Sequence, residues 1–348
     1  MPSSTVTSQP THLIIVCCHA IYLGGGSEDG CANESNWLIE PFQTGETETY
    51  IRHIEAGVAE LARNPDTAIL VFSGGATKRG RTSRSEGEGY LAVALEKNLF
   101  GLDTSTSTPT STSTPTSTST PTSPSTPTLR PRIFVDHYAT DSYQNVLLPL
   151  IQFPLFAQEL QARLGGASVE ALSPSPSTSP SDTASDDTAG SQAQVLVMTA
   201  TATDADADVD ANLSRSTPTW PTELTIISHA FKRRRFLDLH VPAVRFPVAR
   251  TTYIGIDPPF DPVRMPEIEE GDRLRGYGAW ERDLYGVGDV LRRKRETRGW
   301  DEGAFRVETL GRFSPKARRK VENVLASRGR DDGRAPWESA DAEDGTGT

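Results

Sequence analysis

The chain has 348 residues, 36% of them hydrophobic, and a formal charge of -11. That is enough apolar material for one large or two small cores, while an acidic chain with only local clusters of cations argues against nucleic acid as a partner. Three cysteines, Cys17, Cys18 and Cys31, suit neither a disulfide framework nor a zinc site. The first residues lack the positive region of a signal peptide and the apolar run 13–16 is too short to span a bilayer, so a cytoplasmic protein without membrane insertion is expected.

Residues 13–18, LIIVCC, form the continuous apolar run of a strand buried on both faces. The run ends at His19, whose side chain titrates near neutrality and is a candidate acid or base; Cys17 and Cys18 read as packing residues. In the following ESNWLIEPFQTGET, Trp37 and Glu40 are expected to form a lid that excludes water from a crevice. Ile51, Ile54, Val58 and Leu61 recur at helical spacing over 45–63, and Asn64-Pro65 closes that helix. A second strand, AILVF (68–72), stops at Ser73-Gly74-Gly75. Lys78, Arg79, Arg81 and Arg84 follow, then Glu86 at the head of a helix over 86–99.

Residues 104–128 are almost wholly Thr, Ser and Pro, and 173–194 are Ser, Pro, Thr, Asp and Ala. Both read as disordered insertions with too little apolar surface to offset their ordering entropy. A third strand, RIFVD (132–136), lies between them, followed by a helix capped by Asp141 or Ser142 in which Pro149 should introduce a kink or an end. VLVMTA from Val195 reads either as a further strand or as a buried end of the insertion, periodicity not deciding between them, and 203–218 reads as loop, so the second insertion spans 173–218. A fourth strand, LTIIS (224–228), precedes a basic helix from Phe231 to about His240; TTYIGI (251–256) reads as a fifth. Residues 331–348 form an acidic tail expected to be disordered.

Strands alternating with helices imply right-handed crossovers and a parallel sheet covered on both faces, within one domain over 11–330. Ligands then bind beyond the carboxyl ends of the strands, where each unusual motif falls. Ser73, Gly74 and Gly75 are candidate donors to phosphate or carboxylate. Asn145, a poor helix former one turn into its helix, is a candidate contact. Lys232 and Arg235, one turn apart, can neutralise one anion. Glu86, His19 and Asp141 are candidate bases. Metal is left open, since Asp136, Asp141 and Glu86 carry oxygen ligands suited to a hard cation.

At VCCHAIYLGG, VFSGGATK, SEGEGY, DHYATDSYQNVL, FKRRRFLDLH and YIGIDPP the chain resembles the DUF218, or YdcF-like, family, especially its fungal members. The resemblance implies a Rossmann-like three-layer α/β/α sandwich with a mostly parallel sheet. It aligns Ser73, Gly74 and Gly75 with the family's SGG, and Glu86, Asn145 and Arg235 with its following polar positions; Lys232 stands where bacterial members carry histidine. It also implies S-adenosylmethionine as a candidate cofactor, since one bacterial member is reported to bind it. Two functions follow as expectations. One is a protein, with transferase and phosphoester hydrolase as the candidate activities, that binds an anionic or adenosine-containing small molecule; the other is a non-catalytic sensor or interaction protein on the same fold.

Overall fold

The computed structural model describes residues 9–25, 29–103, 128–170, 219–259, 263, 265–327 and 334–338. The expected insertions, the run from Val195 and most of the acidic tail lie outside these residues. Residues 1–160 and 218–348 make one compact unit; of the second, 161–217, only the end of a helix is described.

Five parallel strands form the sheet of the first unit: β1 (His12–Cys17), β4 (Ala68–Ser73), β5 (Ile133–Asp136), β6 (Glu223–Ser228) and β7 (Thr251–Gly255), in the order β5-β4-β1-β6-β7. This is an α/β fold of Rossmann-like type. Leu13 to Cys17 and Ala68 to Ser73 are buried without alternation, because both faces of the sheet are covered. Chain order reverses between β1 and β6, and a crevice opens at such a switch point beyond the carboxyl ends of the strands. The register sets those ends level: Cys17 opposes Ser73, Ser73 opposes Asp136, and Ser228 opposes Gly255.

Helix α1 (Thr47–Arg63) lays Ile54, Val58 and Leu61 in the cluster that holds Ile14, Val16, Leu70 and Phe72. Helix α2 (Glu86–Glu96) begins at a capping box: Ser85 Oγ accepts from the Glu88 N–H (3.0 Å), and the Glu88 carboxylate accepts from the Ser85 N–H (2.7 Å). Such a cap is worth about 1 kcal/mol and fixes where the helix starts. A two-stranded antiparallel pair, β2 (Ile21–Tyr22) with β3 (Trp37–Leu38), was not apparent from the pattern.

Helix α3 (Gln144–Glu170) starts where expected, with Asp141 Oδ1 accepting from the Gln144 N–H at 2.9 Å. It does not end at Pro149: it runs through Pro149 and Pro154, each of which removes one backbone donor. Burial of Leu150, Phe153 and Leu160 on either side favours continuing the helix over breaking it. The basic segment after β6 is not a plain α-helix. A 3-10 turn (Ala230–Lys232) leads into a π-helical stretch (Arg235–His240), an arrangement that is rare and frequent at functional sites.

Short helices follow β7: α4 (Met265–Gly271), a π-helical turn (Asp272–Tyr277), α5 (Gly278–Arg282), α6 (Asp289–Thr297), α7 (Glu302–Glu308) and α8 (Pro315–Ser327). Part of the presumed tail belongs to the fold, since Trp337 is buried and its Nε1 donates to the Val244 carbonyl at 2.8 Å. No helix among the described residues is long and apolar enough to cross a membrane.

Candidate functional site

A cavity of about 550 Å³ opens at the carboxyl ends of β1 and β6, roofed by the residues of α4 to α6. Of the side chains expected at the site, His19, Glu86, Asp141, Asn145, Lys232 and Arg235 line it. Ser73, Gly74, Gly75, Trp37 and Glu40 do not.

The β4 end lies beneath the cavity, with its polar groups engaged by the chain. Ser73 Oγ donates to Asp136 Oδ2 (2.8 Å) and lies 3.3 Å from Asn145 Oδ1. The Gly74 N–H donates to the Asp136 carbonyl (3.1 Å) and the Gly75 N–H to the Ala139 carbonyl (2.6 Å), so neither is turned to a ligand. Close packing explains the two glycines: a Cβ on Gly74 would stand 2.8 Å from the Cβ atoms of Cys18 and Glu86, and one on Gly75 would stand 2.9 Å from the His137 carbonyl. Asp136 also accepts from the Tyr138 N–H (3.1 Å) and Gln152 Nε2 (2.9 Å), which leaves little capacity for a cation. Among the described residues no three His, Cys, Asp or Glu side chains are grouped to hold a metal.

Trp37 is a core residue, not a lid. It is 5% exposed, its Nε1 donates to the Cys31 carbonyl (2.8 Å), and the rings of Tyr22, Tyr50 and Tyr90 surround it at 5.1–6.0 Å. Glu40 pairs with Lys78. The same segment nevertheless reaches the cavity through Phe42, Gln43 and Glu46. Asp141 is committed elsewhere: besides capping α3, its other oxygen accepts from Arg295 Nε at 2.5 Å.

The β6 end is built differently. His229 follows β6 as His19 follows β1, and their rings lie 4.4 Å apart between centroids, with His53 of α1 at 5.8 Å from His19 and 5.0 Å from His229. His19 Nε2 shares a hydrogen bond with Ser228 Oγ (3.1 Å), and His53 Nε2 donates to the Ile256 carbonyl (2.8 Å). His229 is 1% exposed, yet neither ring nitrogen has a hydrogen-bond partner; its Nε2 lies 3.5 Å from Glu46 Oε2. Arg235 Nε is likewise unpartnered, while another guanidinium nitrogen pairs with Asp272. Native proteins leave few buried polar atoms unpaired, because each costs about 1–3 kcal/mol.

Burial, followed by the positive charges of Lys232 and its neighbours, lowers the pKa of His19 and His229 well below the usual value, so both imidazoles are neutral near pH 7. Burial and then the Arg235 guanidinium lower the Lys232 ammonium. Burial raises the Glu86 carboxyl, opposed by the hydroxyl of Thr77, which donates at 2.6 Å, and by nearby cations. Lys232, Lys294 and Arg298 line the cavity without an ion pair among the described residues. Glu46, Glu86, Asp141, Glu267 and Asp272 line it too, so its preference for an anion rests on the cations left without an ion pair.

His229 and Glu46 were missed in the sequence, as were Lys294 and Arg298. A signal for the first was there: ISHAF at the β6 end repeats the strand-His-Ala pattern of CCHAI at the β1 end. The other three are polar residues with no pattern that separates them from a solvated surface.

Fold and site together define an α/β protein with a cavity at its switch point lined by both cations and carboxylates. The chain is 22% identical over 257 residues to an uncharacterized protein, YOR238W, of Saccharomyces cerevisiae, covering 72% of this chain and 68% of that one. No family model matches the chain, and no solved structure does.

Proposed function

We propose that this protein, a DUF218-like domain, binds an anionic small molecule in the cavity between β1 and β6, with Lys232 and Arg235 as its principal counter-charges. The observation that carries the reading is the set of unpartnered polar atoms there: both nitrogens of His229 and Nε of Arg235. In a neutral ring one His229 nitrogen donates and the other accepts, so a ligand offering acceptor oxygens and a hydroxyl would satisfy His229 together with Arg235 Nε. Phosphate esters fit better than S-adenosylmethionine, whose sulfonium would sit among cations, although its carboxylate and adenosine keep it a competitor. The reading concerns binding and holds for a sensor as well as for an enzyme; a soluble metabolite in the cytoplasm is the proposed source.

Thermal denaturation of the full chain with inorganic phosphate, nucleoside monophosphates, sugar phosphates and S-adenosylmethionine tests it. At a ligand concentration of about 100 Kd, stabilisation of about 2.7 kcal/mol is expected. Lys232→Gln is the cleaner probe, because Arg235→Ala would strand Asp272, which is buried with it. Stabilisation by phosphate that survives Lys232→Gln unchanged would contradict the assignment.

A further inference from the structure

A pocket that only holds an anion gains nothing from carboxylates in its wall, since like charge weakens binding. This cavity has Glu46 and Glu86 among its lining residues, together with His229. Glu46 Oε2 accepts from the Tyr50 hydroxyl (2.7 Å) and lies 3.5 Å from His229 Nε2, near hydrogen-bond reach. Glu86 is held by Thr77 and enclosed by Cys18 and Gly74. An imidazole with a carboxylate 3.5 Å from one nitrogen, and a second carboxylate in the lining that also holds Lys232 and Arg235, form a constellation suited to proton transfer at phosphorus.

We propose that the cavity cleaves phosphate monoesters, with His229, oriented by Glu46, as the base that activates water and Glu86 as the acid that protonates the leaving oxygen. This rests on the anion-binding reading above. Water oxygen bonds to phosphorus as its proton passes to His229. The bond from phosphorus to the ester oxygen breaks, and that oxygen leaves as an alcohol with the proton of Glu86. The proton on His229 returns through solvent to Glu86, so that ester and water become alcohol and inorganic phosphate with both side chains restored. Lys232 and Arg235 offset the charge gathering on the non-bridging oxygens.

The groups around His229 set its protonation: Glu46 before α1, Tyr50 and His53 on α1, His19 after β1, and Lys232 and Arg235 on its own segment. Burial and the cations keep the imidazole unprotonated and able to accept, while burial favours the protonated form of Glu86.

Two readouts on the full chain separate this inference from the binding reading. Release of phosphate from p-nitrophenyl phosphate and from a panel of sugar and nucleoside monophosphates reports cleavage; the thermal shift produced by inorganic phosphate reports binding. Expected are turnover by the wild type, a loss of about 10²-fold or more in kcat in His229→Asn and in His229→Gln, and in both a phosphate shift that is reduced but not abolished, since Lys232 and Arg235 remain. Glu46→Gln should slow turnover less and move the acidic limb of the kcat–pH profile. A phosphate shift without cleavage of any ester, or cleavage indifferent to both His229 substitutions, overturns the catalytic inference and leaves the binding reading standing. Absence of the shift as well overturns both.

Discussion

Two strand ends in this molecule carry polar residues and have opposite hydrogen-bond economies. At the β4 end, Ser73, Gly74 and Gly75 donate to Asp136, Asn145 and Ala139, and nothing is left over. At the β6 end, His229 and Arg235 line a cavity and keep buried nitrogens without a hydrogen-bond partner. A polar motif after a strand therefore has two fates. Where its partners are in the chain it is a joint that locks adjacent loops, and its removal should cost stability; where they are missing it is a receptor, and its removal should cost binding.

That contrast is broken most forcefully at Asp136. Asp136→Ala strands the Tyr138 N–H and removes the nearer acceptor of the Ser73 hydroxyl and one of the two acceptors of the Gln152 amide, and urea unfolding should show a loss of about 2–4 kcal/mol. A loss under 1 kcal/mol would mean that the β4 end is not the joint described. Gly74→Ala, whose Cβ would press on Cys18 and Glu86, should cost about 2–3 kcal/mol by the same measurement.

Acid tests the contrast through protons. His53, His229 and His240 are buried with lowered pKa values, that of His53 to about 4, burial being the largest cause in each. The unfolded chain takes up their protons first, so the stability they contribute is complete above about pH 6.5 and is lost as pH falls toward 4. Each imidazole contributes a slope of up to about 1.4 kcal/mol per pH unit in this window. Asp136 and Glu86, raised by burial, act with the opposite sign, because the native state holds their protons longer. His19 is lowered as well, so four lowered histidines outnumber the two raised carboxylates and a net loss remains, measurable as a falling Tm between about pH 6.5 and 4.5. A Tm that rises over that range would contradict the buried neutral histidines.

The smallest effect is the sharpest in sign. His229→Phe removes two unpartnered nitrogens and keeps a planar ring, so the ligand-free protein should be unchanged or more stable by up to about 1 kcal/mol, while stabilisation by phosphate is diminished. Destabilisation beyond 2 kcal/mol would show that His229 has a structural partner after all.

Much of the fold was legible because burial on both faces writes β1, β4 and β6 as unbroken apolar runs, and helix α1 as a regular stripe. Proline in α3 misled, since its local cost is outweighed by packing that no short window contains. The roof of the cavity was not legible: α6, DVLRRKRET, buries Leu291 alone in the core, too little apolar pattern to announce a helix that carries Lys294 and Arg295 to the strand ends. Convergence of His19, Asn145, Lys232 and Arg235 on one cavity could be anticipated from their places after parallel strands. Whether Gly74 and Gly75 present their N–H groups to a ligand or to the chain depends on where the carbonyls of Asp136 and Ala139 come to lie, which is a property of the assembled loops.

The central claim is spatial, and anion density tests it most directly. Crystals of the full chain soaked in tungstate, a heavy analogue of phosphate, should give one strong anomalous peak between Lys232, Arg235 and His229. A peak against the backbone of Gly74 and Gly75 instead, or a vacant cavity at millimolar tungstate, would contradict the account.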